Sequence, residues 1–459
     1  MNKPYIYPTV KKYLEKGQDD LLLEFCNSIH PADLAHSLES AHVDDVVELL
    51  TRLGPEYSSR FLAEMNPGYQ TNILLKISDE VLSRIINEMP SDDRVDMIRN
   101  IPEERKQKLL QMLAKAERLD IVKLESYQEG TAGSLMTSEY AALSKDITAG
   151  EAIDRLRIEA PEKETIYYAY VIDEQRRLLG TVSLRELILA LPEAKIEELM
   201  HPDPVKTTVQ EDQEEVARKI KKYDLLAIPV TNGNEALVGI VTYDDIHDVI
   251  VEEATEDFHR FGGMTHKLPD LHVSLRDAGF MTMIQKRLPW LLVLVFMNIF
   301  SGAGIAHFED TIEAVVALVF FLPLLIDSGG NAGSQSATLM VRALAIGDVK
   351  LKDWFRLLSK EVSVAIGIGL AMGLAVSLIG IFRGGPEVAV VVAMTMVLTV
   401  LFGSLVGMSL PFLLTRFKMD PATASAPLIT SIADIGGVLI YFSIATWYLR
   451  DMIAAAGAA

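Results

Sequence analysis

Three kinds of hydrophobic pattern succeed one another along the chain. In the first, "LGPEYSSRFLAEM" is followed by "NPGYQTNILLKI", "SDEVLSRIINEM", "PSDDRVDMIRNI" and "PEERKQKLLQML", blocks of equal length that open on turn or cap residues and close on Leu, Ile or Met. This predicts short helices, each too short to persist alone, stacked in a superhelical array. An ordinary helical bundle is the plainer alternative. In the second, between 131 and 252, short apolar runs alternate with turns and the whole segment is duplicated. "YAYVIDEQRRLLGTVSLREL" corresponds to "LAIPVTNGNEALVGIVTYDDI", with Gly180 matching Gly239, Ser183 matching Thr242 and Glu186 matching Asp245, all at one offset. Each half predicts helix, strand, turn, strand, helix, introduced by "SLMTSEY" and "ELMHPDP".

The third pattern begins near position 280, where long apolar runs take over. Five are long enough to cross about 30 Å of hydrocarbon, at roughly 289–306, 311–341, 361–382, 388–414 and 421–448. With the N-terminus inside, the inner loops hold Lys286, Arg287, Arg342, Lys350, Lys352, Arg356, Lys360, Arg416 and Lys418, against Arg383 and Arg450 outside. That bias orients the N-terminus to the cytoplasm and the C-terminus outward.

Two of these runs carry polar groups at a cost. The second, "FLPLLIDSGGNAGSQSATLMVRAL", contains Pro323, Gly329, Gly330 and Gly333, which predict a broken helix. Lipid cannot satisfy the freed backbone, so such a break belongs in protein or beside a watery cavity. Asp327, Asn331, Ser334 and Gln335 cluster there. The fifth, "PLITSIADIGGVLIYFSIATW", places Asp434 near its middle, where a carboxylate costs roughly 2.5–3.5 kcal/mol on insertion scales. Ala426, Thr430, Ala433 and Gly437 form a small-residue stripe beside it, suited to close helix approach. Asp434 could serve a structural hydrogen bond, but intramembrane acids usually mark ion or proton pathways. Near the break only carboxylate, amide, hydroxyl and carbonyl oxygens are on offer, which favours hard Mg²⁺ or Ca²⁺ over soft metals. Two copies of Asp434 on a homodimer axis would suit a divalent ion better than one.

Charge sharpens this picture. The net charge is −20, yet positions 281–459 hold eleven basic and eleven acidic side chains, so the whole excess falls before them. So acidic a segment argues against nucleic acid as a partner and suits small cations. In "TYDDIHDVIVEEATEDF", Asp245, Asp248, Glu252 and Glu256 recur at steps of three and four on one helical face. Like charges at that spacing oppose the helix, and divalent ions would relieve them; a solvated acidic face is the bland reading. The single Cys26 excludes an internal disulfide framework, as a reducing cytosol would require. The start, "MNKPYIYPTVKKYLEKGQDD", lacks an apolar core of signal-peptide length, so everything before the first apolar run is expected in the cytoplasm. The nine histidines make no zinc pattern, and neither an activated nucleophile nor a P-loop is present, so no enzyme is expected.

The paired Gly-hydrophobe-hydrophobe-Ser/Thr-x-x-acid motifs resemble a tandem CBS-domain pair. That resemblance implies adenine nucleotide binding, ATP included, with Thr242 and Asp245 holding ribose; Glu186 stands where the pattern usually has Asp. The wider order, with "GGNAGSQSATL" and "PLITSIADIGG", resembles the MgtE family of magnesium channels over essentially the whole chain. The fold class expected is therefore a multidomain membrane protein. It has an α-helical superhelical N-terminal domain at 1–130, an α/β CBS pair at 131–252, a connecting helix at 253–284 and an all-α transmembrane domain of five helices at 285–459. The resemblance implies a homodimeric Mg²⁺-selective channel of the inner membrane, with Asp434 at the pore ion site; the chain's own polar pattern adds Asn331, Asp327 and Thr430 as pore-lining candidates, though family members carry Ala at the position of Thr430. It also implies closure by cytosolic Mg²⁺, sensed by Asp92, Asp96, Asp212, Glu214, Asp245, Asp248, Glu253, Glu256 and Asp257. No separate protein partner is implied. The rivals are a cation-coupled transporter of Co²⁺, Ni²⁺ or Mn²⁺, and a membrane-anchored CBS protein that senses nucleotide.

Overall fold

The computed structural model describes residues 5–264 and 279–457. Two compact units divide within helix Tyr243–Phe261, between Glu253 and Ala254. Residues 265–278 of the expected connecting helix lie outside the described residues, and its flanks belong to helices Tyr243–Phe261 and Phe280–His307.

The helical repeat reaches further back than its motifs indicate. Helices begin at Asp19, Pro31, Val43, Pro55, Pro67, Asp79, Ser91, Glu103 and Lys115, a constant interval along the chain. Proline opens three of them, where its missing N–H costs nothing. Asn66 and Ser78 cap two helix starts, accepting from the amides of Gly68 and Val81. One buried position marks the register: Cys26, Leu38, Leu50, Leu62, Leu74, Ile86, Ile98 and Leu110 are all inside a single core. Alternate helices pack together: Ile6–Lys16 on Pro31–Leu38, that helix on Pro55–Ala63, which packs on Asp79–Asn87, and Val43–Arg52 on Pro67–Lys76. Helices this short could not hold their shape without that stacking.

The duplicated segment forms two small sheets. In one, Tyr140–Leu143 runs parallel to Thr165–Ile172, which pairs antiparallel with Leu178–Ser183, with His201–Pro202 at the far edge. In the other, Thr207–Thr208, Ala227–Thr231 and Leu237–Thr242 repeat the first three strands. The registers coincide: Val171 faces Gly180 and Val230 faces Gly239. Both glycines are required by close approach. A Cβ on Gly180 would meet the His201 carbonyl at 2.7 Å, and one on Gly239 would meet the Thr137 carbonyl at 2.8 Å.

Among the described residues, four helices of the second unit are long and apolar enough to cross a membrane. One of them, Trp354–Arg416, contains Gly385 at φ 84°, outside the helical region. A straight helix of that length would run roughly 95 Å, but the chain folds back instead. Gly380 approaches Ala389, Gly373 approaches Ala393 and Gly369 approaches Val397, the ladder of an antiparallel pair. Five apolar helical segments result.

The expected break in the second span is absent. Ala317–Ala345 is one continuous helix through Pro323 and the glycines. The interruption falls earlier, at Val315–Val316, after the short helix Glu309–Ala314. The glycines serve contact instead of breakage. A Cβ on Gly329 would lie 3.1 Å from the Thr399 carbonyl, and one on Gly333 would lie 2.7 Å from that of Gly403. Helix backbones meet there as closely as only glycine permits.

Candidate functional site

Two groups of polar side chains stand out, one in each unit. In the membrane unit, the first, second and fifth apolar helices enclose an open cavity of about 820 Å³ lined by Leu291, Leu294, Val295, Asn298, Asn331, Ser334, Ala426, Pro427, Thr430, Ser431 and Asp434. Three of the four residues expected at the pore are therefore brought together: Asn331, Thr430 and Asp434. Asp327 is outside this lining; it accepts a 2.9 Å hydrogen bond from the Asn331 amide. Ser334 and Thr430 hydroxyls lie 3.4 Å apart across the helix contact, and Thr430 also donates to the Ala426 carbonyl at 3.0 Å. The methyl of Thr430 packs against Gly330, where a Cβ would lie 2.9 Å away. Asn298 of the first helix is a lining residue that the motifs did not signal.

The lining chemistry is carboxylate, carboxamide and hydroxyl, with no thiol or imidazole. Such groups suit a hard divalent cation, and one carboxylate suits an ion that keeps most of its water. Among the described residues, no three His, Cys, Asp or Glu side chains come together as a direct chelating cluster.

In the first unit the acids of helix Ser91–Arg99 face those following strand Leu237–Thr242. Burial drives Asp92 well above the usual carboxylate range, with Asp245, Asp93 and Glu164 adding repulsion. Burial pushes Asp93 up to about 6, helped by Asp96, Glu64, Asp244 and Asp248. Asp245 rises to about 7 by burial and the nearby Asp244 and Asp93, against the lowering effect of its Thr242 hydrogen bonds. Burial likewise lifts Glu164 to about 7 and raises Asp96, less tightly held because its side chain is 65% exposed and Arg99 lies 3.1 Å away. Arg94, on the same helix, turns to the carbonyls of Ile86 at 3.1 Å and Met89 at 2.6 Å. One oxygen of Asp92 is buried without any hydrogen-bond partner among the described residues. Such an orphaned acceptor is costly and is the kind of group a cation would satisfy.

The remaining expected sensor acids are distributed as follows. Asp248 is exposed and acts on Asp93. Asp212 caps helix Gln213–Tyr223, accepting from the Glu214 amide at 2.9 Å, while Glu214 pairs with Arg218 at 3.0 Å. Gln213 donates to Glu253, which brings that acid to the same helix start. Glu256 and Asp257 fall beyond the division of the units, and there Arg260 bridges Glu256 and Asp420. Asp93, Glu164 and Asp244 join the cluster without having been singled out. Asp93 and Asp244 adjoin expected residues in the chain; Glu164 arrives only through the fold.

The nucleotide candidates are occupied with each other. The amide and hydroxyl of Thr242 both donate to one Asp245 oxygen. Ser183 and Glu186 do the same in the first half as a capping box, and His201 also contacts Glu186.

A helical repeat, a pair of small sheets and a set of apolar helices with an oxygen-lined cavity define the class of a multidomain, multipass membrane protein. Comparison with known proteins agrees. Residues 322–444 match the family model for the divalent cation transporter MgtE, 29–130 that for the MgtE intracellular N domain, and 132–193 and 196–252 the CBS domain. Magnesium transporter MgtE of Thermus thermophilus is 44% identical over 331 residues, 71% of this chain and 72% of the relative. The crystal structure of the soluble part of a magnesium transporter overlays at TM-score 0.52 with 30% identity, covering 55% of this chain and 98% of that one. The cytosolic domain of the Mg²⁺ channel MgtE in complex with ATP overlays at 0.50 with 36% identity, covering 52% and 98%. The chain belongs to the MgtE family.

Proposed function

We propose that this chain transports Mg²⁺ through a channel, imports it passively across the cytoplasmic membrane as a homodimer, and is closed by Mg²⁺ on its cytoplasmic side. The observation that carries the transport reading is the placement of Asp434 with Asn331, Ser334 and Thr430 on one cavity among apolar helices. An anchor for a nucleotide sensor needs no intramembrane carboxylate. The relatives' names, magnesium transporter and Mg²⁺ channel, support the choice of ion. The excess of basic residues in the inner loops supports a cytoplasmic N-terminus and an external C-terminus.

The sensor would consist of Asp92, Asp96 and Asp245 with Asp93 and Glu164, extended by Asp248 and by Asp212, Glu214 and Glu253. Glu256 and Asp257 would act nearer the connection to the first apolar helix. Hydrated Mg²⁺ between these acids would remove their repulsion and bias a two-state element toward closure. The ATP-bound relative supports adenine nucleotide as a second ligand of the CBS pair, where Thr242 and Asp245 would have to exchange their mutual hydrogen bonds for ribose hydroxyls.

The test is Mg²⁺ flux into proteoliposomes. Asp434→Asn is expected to lower flux by at least about tenfold, the scale on which an intramembrane charge is felt. Wild-type flux in that variant would remove Asp434 from the path. Reversal potentials following the Mg²⁺ gradient alone would distinguish a channel from a coupled transporter.

A further inference from the structure

We propose that Asn298 is a third wall of the ion path: its carboxamide oxygen accepts hydrogen bonds from the water shell of a divalent ion held at Asp434, so the first apolar helix helps decide which hydrated ions pass. The proposal rests on reading the cavity as the path, and its test separates the two.

Asn298 stands in "WLLVLVFMNIF", the one strongly polar side chain in that run. A carboxamide facing hydrocarbon leaves its donors and acceptor unmet, at a cost that demands a polar surrounding. Leu291, Leu294, Val295 and Asn298 recur at steps of three and four, so one helical face presents them all, and that face lines the cavity.

Its depth can be read from contacts on either side. The first and fifth helices run in the same direction, since a Cβ on Gly304 would lie 3.3 Å from Val438, and just beyond the first helix Thr311 of the short helix Glu309–Ala314 bonds Thr446 at 2.8 Å. Toward the other end, a Cβ on Gly263 would meet both Trp290, at 2.5 Å, and Pro427, at 3.4 Å. Between these markers, Asn298 falls within about one turn of Asp434. The second helix reaches the same level: Gly330 meets Thr430 and Ser334 lies 3.4 Å from it, which sets Asn331 beside Asp434 in height. Three helices thus bring Asn298, Asn331 and Asp434 to one layer.

The chemistry explains why an amide is useful there. Mg²⁺ sheds its water reluctantly, so the wall meets outward-pointing water hydrogens. These need acceptors, which a carboxamide oxygen provides and Leu291, Leu294 and Val295 cannot. Hexaamminecobalt(III), which presents fixed N–H donors in place of those waters, is the probe.

The experiment compares Asn298→Leu, Asn298→Asp and Asp434→Asn in the full-length chain in proteoliposomes, reading Mg²⁺ flux and its block by hexaamminecobalt(III). Asn298→Leu is expected to weaken the block about tenfold, the effect of roughly one hydrogen bond, and to lower flux. Asn298→Asp, nearly isosteric, is expected to tighten the block. If both Asn298 variants block and conduct like wild type while Asp434→Asn stops flux, the role of Asn298 is overturned and the path stands. If Asp434→Asn conducts normally, the path reading falls and this proposal with it.

Discussion

Asp92, Asp93, Asp245 and Glu164 are held by the fold in an environment that favours their neutral forms, with burial the leading cause for each, although the Asp93 side chain still reaches solvent. A raised carboxyl pKa means that the folded state binds protons more tightly than the unfolded chain. Stability is therefore highest below the ordinary carboxylate range and falls as pH rises through about 6 for Asp93 and about 7 for Asp245 and Glu164. Above that window the repulsion is fully present unless a cation offsets it. Thermal unfolding without divalent ions should thus show a higher Tm at about pH 5.5 than at about pH 7.5. Millimolar Mg²⁺ should raise Tm more at the higher pH, where the acids are ionised, than at the lower. A Tm that rises with pH through this window would contradict the assignment of these acids as uncompensated. Cys26 shows the same direction of shift at a purely apolar position. It stands at the core position shared by Leu38 and Leu50, burial pushes its thiol up to about 12, and it behaves as a small hydrophobe.

The glycines of the second apolar helix show why an element's role depends on its neighbour. Pro323 and the glycine pair read as helix breakers from the chain alone, and no local pattern distinguishes a break from a contact. The distinction lies in Gly403 and Gly407, far along the chain. A Cβ on Gly403 would run into the Gly329 carbonyl, and one on Gly407 would run into that of Gly333. Gly407→Ala must therefore push two backbones apart, for which overpacking costs of about 1–3 kcal/mol are typical. The expected result is a lowered Tm in detergent and reduced flux. Gly302→Ala, where an added Cβ meets nothing within 4 Å, should leave Tm unchanged or slightly raised. Equal effects from the two substitutions would mean that the backbone contact is not limiting. Periodic features were more legible than facing ones. The repeat from Pro55 onward and the duplication of the CBS segment declare themselves by spacing, whereas the helices opening at Asp19, Pro31 and Val43 join it through the interval and a shared buried position. Asp434 drew notice because a charge in an apolar run stands alone. Asn298 also stands alone in its run, but a neutral carboxamide gives a weaker signal than a charge, and Glu164 joins its acids only through folding.

For the molecule as a whole, the separation of charge from hydrophobicity sets what Mg²⁺ can do. The −20 resides entirely ahead of the apolar runs, and several of its carboxylates gather where helix Ser91–Arg99 of the repeat meets the CBS pair. That part of the chain is nevertheless tied together at one buried point. The Ser91 hydroxyl lies 3.0 Å from that of Thr137 and accepts from the Ser138 amide at 2.9 Å, while Thr137 pairs with Ile240 in the strand leading to Asp245. The joint holds the acids near one another despite their repulsion, so a cation binding there acts on a spacing already imposed. Simple screening would lower the repulsion with any salt, falling off over about 10 Å at roughly 0.1 M, whereas bridging requires a divalent ion. Trypsin digestion of the full-length chain can tell these apart. Protection of the region ahead of the apolar runs should appear with millimolar MgCl₂ and not with NaCl at the same ionic strength. Neutralising Asp245, Asp248, Glu253 and Glu256 together to Asn or Gln should abolish that protection and relieve inhibition of flux by internal Mg²⁺. Equal protection by NaCl would reduce the sensor to a screened acidic surface. Retained Mg²⁺ inhibition in the quadruple variant would place the sensor elsewhere.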